Sequence, residues 1–399
     1  MSRLVYLGCF AYLVVGLGQL VIGAIMEPMV HAYGVQYGDG GQLVMHQFLG
    51  GMVGILFAPW LIGKIGKKAV LLSAIGFMTI AEFLYTMLPP WWLMLTIAPF
   101  AGVGLGMTEA VVGSFIIGAS GAKANTAMSR VETFFGVGAL LIPFAGAALI
   151  EAGYWKLSFG IVGVLGAITF LLWSIWWPSV LDQPASSAGT ADHEAHAGAA
   201  PKLTSRSLVI LIACAVFFVV YVGLEMSYIH YLPSLLVQTN GLVESSATLA
   251  LSLFWGAMVI GRLVAGQIAD RVGGSVYLIG TCIITAVLFI LMTLFTGALP
   301  AFVLAFAVGL TMSGMFAIAL VFANRATPGR TERTTSLLMA CGGIGGALLP
   351  KGTGWFLDQH GPEAVRWLFA GTAALMLLVI LWASLSSRRS ASVLMTMHK

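Results

Sequence analysis

Charge is what this 399-residue chain has least of. Asp, Glu, Lys and Arg make up 9% of it and hydrophobic residues 59%, against about 25% charged in an ordinary soluble domain. So few ionic groups cannot cover a water-exposed surface of this size, which excludes soluble, nucleic-acid-binding and disordered classes. Between residues 272 and 324 there is no Asp, Glu, Lys or Arg at all. A run of that length holds two membrane spans of ~20 residues and a turn. Cysteine is scarce too: Cys9, Cys214, Cys282 and Cys341 all lie in apolar stretches and form neither a disulfide framework nor a metal motif. No Walker-type phosphate loop is present, so this chain is no ATP-driven pump. The seven histidines are scattered, and no nucleophile stands beside a base. A membrane-embedded enzyme is therefore not expected, nor is a cofactor or a bound metal.

What the chain does have is a regular series of apolar runs. Gly, Pro and charge clusters divide them near residues 4–33, 42–63, 69–89, 92–121, 127–151 and 157–181. Six more follow near 207–238, 246–269, 275–296, 299–324, 334–357 and 365–387. The first run continues to about Met26 without a cleavage site and reads as a retained span. Sixteen of the 19 Lys and Arg residues fall at the termini and alternate connections, leaving Lys156 and Arg366 opposite and Lys351 inside span 11. The positive-inside bias then places both termini in the cytoplasm, and the net charge of +4 says little beyond this.

Between spans 6 and 7 the composition turns to Ala, Gly, Ser and Pro, which cannot bury a core and predicts a cytoplasmic linker. His193 and His196 within it read as solvated imidazoles rather than metal ligands. Sliding the chain by about 207 residues sets Gly54 and Gly66 on Gly261 and Gly273, and 136–143 on 343–350; a shift of ~208 sets Gly106 on Gly314. The expected fold is an all-α membrane protein of twelve transmembrane helices in two pseudo-symmetric six-helix bundles. Residues 1–181 form the first, 182–206 the linker and 207–399 the second.

Gly261-Arg-Leu-Val-Ala-Gly-Gln-Ile-Ala-Asp-Arg-Val-Gly273, between spans 8 and 9, resembles the helix 2-to-3 signature of the major facilitator superfamily (MFS). That resemblance gives Gly261, Arg262, Asp270, Arg271 and Gly273 a gating role. The first-half copy has Gly63 where the second has Asp270. Gly104-Leu-Gly-Met-Thr-Glu-Ala110, Arg130-Val-Glu-Thr-Phe-Phe-Gly136, Gly223-Leu-Glu225 and Tyr231-Leu-Pro233 resemble the fucose/glucose/mannose proton-symporter group. The group links its helix 4 acid to proton coupling and its helix 5 position to a polar substrate contact.

Five carboxylates lie inside the expected spans: Glu27, Glu82, Glu109, Glu132 and Glu225. An ionised carboxylate at bilayer depth costs ~2.5–3.5 kcal/mol on insertion scales, so each needs a proton, a partner or a wet cavity. Glu109 shares a face of span 4 with Gly102, Gly106 and Gly113; Glu132 shares one of span 5 with Gly136, Ala139 and Pro143. Glu109, Glu132 and Glu225 are the candidates for proton coupling. The plainer alternatives are a protonated Glu109 bonded to a backbone carbonyl, and Glu132 paired with Arg130 or Arg333.

Tyr221, Glu225 and Tyr228 share a face of span 7, a pattern that suits a polyhydroxylated or amino-bearing solute. Gln19 and Glu27 with Gly23 form a stripe on span 1, and His46 and Gln47 lie near the outer end of span 2. Lys351 and Glu225 each stand 18 residues, ~27 Å, from a cytoplasmic arginine, a depth that permits a pair. Trp355 stands one turn beyond Lys351; snorkelling of Lys351 to the outer surface is the alternative. The substrate-binding candidates are thus Gln19, Glu27, Gln47, Tyr221, Tyr228, Lys351 and Trp355. The symporter group has neither an acid at position 27 nor a lysine at 351, departures that suit a zwitterionic or carboxylate-bearing solute. Glu82, on a helix peripheral in the superfamily, is expected to be structural or lipid-adjacent.

Together these features predict a proton-coupled secondary transporter in the cytoplasmic membrane, working as a monomer by alternating access at a midplane site between the halves. Its partners are a small-molecule substrate, protons and the bilayer. Proton-driven efflux of a zwitterionic metabolite, amino-acid-type metallophore or drug is the alternative.

Overall fold

A computed structural model describes residues 2–120, 124–181, 205–327 and 331–397. The expected linker, with His193 and His196, lies outside them apart from its last few positions. Thirteen helices make up the described residues, with a short 3-10 turn at Ser179–Leu181. They are α1 (Ser2–Ala24), α2 (Met26–Tyr33), α3 (Tyr37–Ile65), α4 (Lys67–Thr86), α5 (Trp91–Ser120), α6 (Ala124–Glu151) and α7 (Leu157–Ile175). After the linker come α8 (Ser205–Asn240), α9 (Glu244–Val272), α10 (Gly274–Leu294), α11 (Ala298–Met312), α12 (Met315–Ala326) and α13 (Thr331–Met397).

Eleven stretches among the described residues are long and apolar enough to cross a membrane. The last, Thr334–Ser386, has 53 residues, ~80 Å of helix and more than twice a ~30 Å hydrocarbon core. It divides at Gly361, whose φ of 79° is non-helical, followed by Pro362. Two spans therefore share α13, and the twelve expected spans are present. Two interruptions were not expected. The first apolar run breaks at Ile25, so that its membrane-crossing part ends at Ala24 and α2 lies beyond it. The tenth breaks at Ser313-Gly314, between α11 and α12.

The duplication is written into the backbone. The glycines with positive φ are Gly34, Gly66, Gly153, Gly241, Gly273 and Gly361. They pair as 34 with 241, 66 with 273 and 153 with 361, at offsets of 207, 207 and 208. Each pair turns the chain at the same place in the two halves, where a side chain would be strained. Helix crossings repeat as well. A Cβ on Gly102 would sit on the Gln47 carbonyl, and one on Gly309 on the Phe254 carbonyl, both residues 207 later. Gly54 approaches the carbonyl of Val103 as Gly261 approaches that of Leu310.

The helices gather into two compact units. Unit 1 holds residues 1–197, 229–237 and 242–252; unit 2 holds 198–228, 238–241 and 253–399. The division differs from a cut at the linker, because the far half of α8 and the first turns of α9 pack into unit 1. Thr248 donates to the Ala24 carbonyl (3.0 Å), Ser252 to Leu140 (3.1 Å) and the Tyr231 hydroxyl to Tyr37 (3.0 Å). Many large apolar side chains remain uncovered, among them Leu263, Ile175 and Leu299. On a membrane protein these are the surfaces that meet lipid tails.

Candidate functional site

In unit 1, α5 packs on α3 through Gly102 and Gly106, where a Cβ would strike the backbone of Gln47 and Gly51. That crossing fixes the height of Glu109 on the same helix. Tyr12 of α1 donates to the Glu109 backbone carbonyl (2.9 Å), and its hydroxyl fills the space beside Gly113. The side chains of Glu109 and Glu132 lie near enough for their charges to interact, with Tyr12 within the field of both. On α6 the close approach to α1 is made by Gly138, against the Leu13 carbonyl, rather than by Gly136. Glu132 is exposed on the protein surface and Glu109 half-buried.

Gln47 is buried, and its amide donates to the Gly18 carbonyl of α1 (3.2 Å), leaving a second N–H and the carbonyl oxygen for other contacts. Gln19 is half-buried beside it in the chain. His46 takes the Leu95 carbonyl instead (3.0 Å).

Glu27 occupies a different setting from the one expected. It lies on α2, beyond the first span, where the Tyr37 hydroxyl donates to its Oε2 (2.8 Å). His31 stands between two acids, 3.7 Å from Glu27 and 3.6 Å from Glu244. The buried Ser234 hydroxyl faces Glu27 as well. Close by, His230 is buried with its Cα against Gly23, and its ring meets Phe48 edge-on at 6.4 Å. Sequence reasoning left His230 among scattered histidines, and only the missing side chain at Gly23 hinted at a crossing there.

Glu82 is no lipid-facing residue. It is 1% exposed, its Oε1 lies against Gly18 of α1, and its Oε2 has no hydrogen-bond partner among the described residues. Helix α4 is covered by α5 and α7, which is why an acid there is enclosed by protein.

In unit 2, Glu225 is buried on α8 and hydrogen-bonds Tyr221 one turn earlier. The charged neighbour the structure gives it is Arg262 of α9, whose guanidinium lies 5.9 Å from the Trp255 ring. Arg262 thus acts well inside the helix, while Asp270, Arg271 and Gly273 sit exposed at its end; Gly261 meets Ser313 at the α11–α12 break. The Tyr221 hydroxyl also reaches the Met312 carbonyl (3.1 Å), and its ring stacks on Phe217 at 5.9 Å. Tyr228 is buried among Phe254, Phe289 and Phe369, with centroids 5.2–5.8 Å away. Its ring belongs to an aromatic core, although helical spacing aligns it with Glu225. Lys351 is half-buried on α13; Trp355 is 56% exposed and meets His360 edge-on.

Glycine-lined helix crossings, buried acids and a two-fold internal repeat are the features of a polytopic carrier. A family model described as Major Facilitator Superfamily matches residues 8–307 and 231–394, and the chain belongs to that family of membrane transporters. It is similar to the glucose/mannose transporter GlcP of Bacillus subtilis (strain 168), with 27% identity over 396 residues, 98% of this chain and 96% of the relative. Among solved structures it resembles a D-xylose-proton symporter, with a TM-score of 0.75, 14% identity and coverage of 95% and 97%. The nucleoside transporter NupG (D323A mutant) gives 0.75, 12% identity and coverage of 96% and 99%. At such identities these structures support the fold. Multi-pass insertion in a membrane follows from the family and the spans.

Proposed function

We propose that this protein is a proton-coupled secondary transporter that moves a hexose-type sugar by alternating access across a bacterial cytoplasmic membrane. The observation that carries the solute class is likeness to a glucose/mannose transporter along 98% of the chain. In this reading residues 1–181 and 207–399 act as two six-helix bundles joined by a cytoplasmic linker, with both termini cytoplasmic, and one copy suffices.

Glu109, Glu132 and Glu225 are the proton-exchanging groups, because acids enclosed by helices stay at bilayer depth only with a proton or a partner. Gln19 and Gln47 supply donors and acceptors of the kind a polyhydroxylated solute needs. Gly261, Arg262, Asp270, Arg271 and Gly273 form the gating turn. Glu27 is better understood as part of the polar cluster beyond the first span than as a substrate ligand, since Tyr37 and His31 already engage it. That weakens the argument for a charged solute. Lys351 supports the second reading, transport of a zwitterionic or carboxylate-bearing metabolite, because its ammonium is half-buried.

The test is uptake into proteoliposomes under an imposed pH gradient, with glucose, mannose and amino-acid-type chelators offered separately. Saturable accumulation of glucose or mannose that collapses with a protonophore is expected. Movement of the chelators alone would replace the sugar reading with the second one. Flux without saturation or gradient dependence would mean a channel.

A further inference from the structure

Tyr221 faces two acceptors with one proton to give. Its hydroxyl lies 3.1 Å from the carbonyl of Met312, the last residue of α11. The final carbonyls of a helix have no donor within the helix, so this phenol caps the break in the tenth span. One turn away on α8, Glu225 hydrogen-bonds the same phenol. A phenol carries one O–H donor. If that proton lies on Met312, the bond between Glu225 and Tyr221 requires Glu225 to donate, and Glu225 is then protonated.

We infer that Tyr221 is a positioning residue that ties the protonation state of Glu225 to the α11–α12 break. With the acid protonated, its O–H donates to Tyr221 Oη, and the Tyr221 O–H donates to Met312. When Glu225 releases its proton it can only accept, and a carboxylate binds an O–H roughly twice as strongly as a neutral carbonyl. The phenol proton turns to Glu225 and the Met312 carbonyl loses its cap. No ring movement is required: stacking on Phe217 at 5.9 Å and packing on Phe316 at 6.4 Å fix the phenol while its proton changes partner.

The break is a place where such a change can act. Gly314 leaves no room for a side chain between Ala265 and Tyr277, and Ser313 caps back on Leu310 (2.8 Å). The other charged or titratable groups acting on Tyr221 and Glu225 are Arg262 of α9, which attracts the ionised acid, and Tyr277 of α10. The inference rests on the proton-coupled reading and adds where proton release is felt in the helices.

The experiment is hydrogen–deuterium exchange of the peptide covering 313–318 in the full chain in lipid nanodiscs, at acid and alkaline pH, corrected for intrinsic exchange. In the native protein the segment should exchange about tenfold faster at alkaline pH, the loss expected for one hydrogen bond to a charged group. Glu225→Gln keeps a donor facing Tyr221 and should stay protected at both values. Tyr221→Phe should exchange fast at both. A pH response in Tyr221→Phe equal to the native one, or no response in the native chain, overturns the relay. If the native segment responds while uptake shows no proton dependence, the relay stands and the proton-coupled reading fails.

Discussion

The two halves share their backbone crossings but not their ionisable groups. Gly102 and Gly309, Gly54 and Gly261, and the turn glycines repeat at offsets of 207 or 208. At the same offset Glu109 falls on Phe316, Glu132 on Met339 and Glu225 on Gly18. Unit 1 sets acid beside acid, Glu109 with Glu132; unit 2 sets Glu225 beside the Arg262 guanidinium. Helix contacts made by missing side chains tolerate no change without a shift of backbone, so both copies keep them. A buried charge is expensive and is retained where it acts, so one copy of each is enough. Duplication supplied the frame, and the chemistry diverged on it.

The largest expected effect tests that asymmetry. Glu109→Gln keeps shape and hydrogen bonding but cannot exchange a proton, so the accumulation ratio in proteoliposomes should fall to about 1 while exchange stays within about twofold of native. Phe316→Leu, at the matching position of unit 2, should leave the ratio near the native value. Equal losses in the two variants would show that position rather than ionisation matters. Glu132→Gln sharpens the result: a changed affinity with unchanged proton dependence would make that acid a solute contact.

A smaller effect is expected at the shared crossings. Gly102→Ala and Gly309→Ala each place a methyl on a backbone carbonyl, and overpacking of this kind costs about 1–3 kcal/mol. Both should lower the midpoint of thermal unfolding in detergent by similar amounts. Gly146→Ala is the control, because its Cβ would meet its neighbours at 3.7 Å, ordinary contact distance. A drop at Gly102 with none at Gly309 would break the structural equivalence of the halves.

The frame was readable in the sequence because apolar run length, Gly, Pro and the placement of Lys and Arg are local signals. Spans, turns and the repeat follow from them. The breaks at Ile25 and Ser313-Gly314 were not readable, since neither carries a proline or a charge. The candidate acids were readable because a carboxyl in an apolar run is conspicuous, yet their partners come from other helices. Arg262 beside Glu225, Tyr37 on Glu27 and Gly18 against Glu82 depend on how helices cross. Helical spacing aligned Tyr228 with Glu225 but could not tell that Phe254, Phe289 and Phe369 surround it. Glu82 was set aside because its helix is peripheral in the family, whereas burial depends on which face it sits on.

The smallest expected effect separates two partners of one acid. Glu27 is held from the protein side by Tyr37, at 2.8 Å, and from the solvent side by His31, at 3.7 Å. The His31 side chain is 60% exposed, and an exposed pair is worth ~0.2–1 kcal/mol once solvent screening is counted. Glu27 is 2% exposed, so removing the hydroxyl that faces it leaves a buried oxygen without its donor, which costs ~1–3 kcal/mol. His31→Ala should therefore shift the unfolding midpoint less than Tyr37→Phe. The His31 effect should shrink further between low and high salt, since a charge pair open to solvent is screened within a Debye length of ~10 Å at 0.1 M and ~3 Å at 1 M. The Tyr37 effect should be insensitive to salt. A His31→Ala variant less stable than Tyr37→Phe, at any salt concentration, would mean that the bridge from Glu27 through His31 to Glu244 holds the cluster, and that α9 is tied to α2 by charge rather than by the buried hydroxyl.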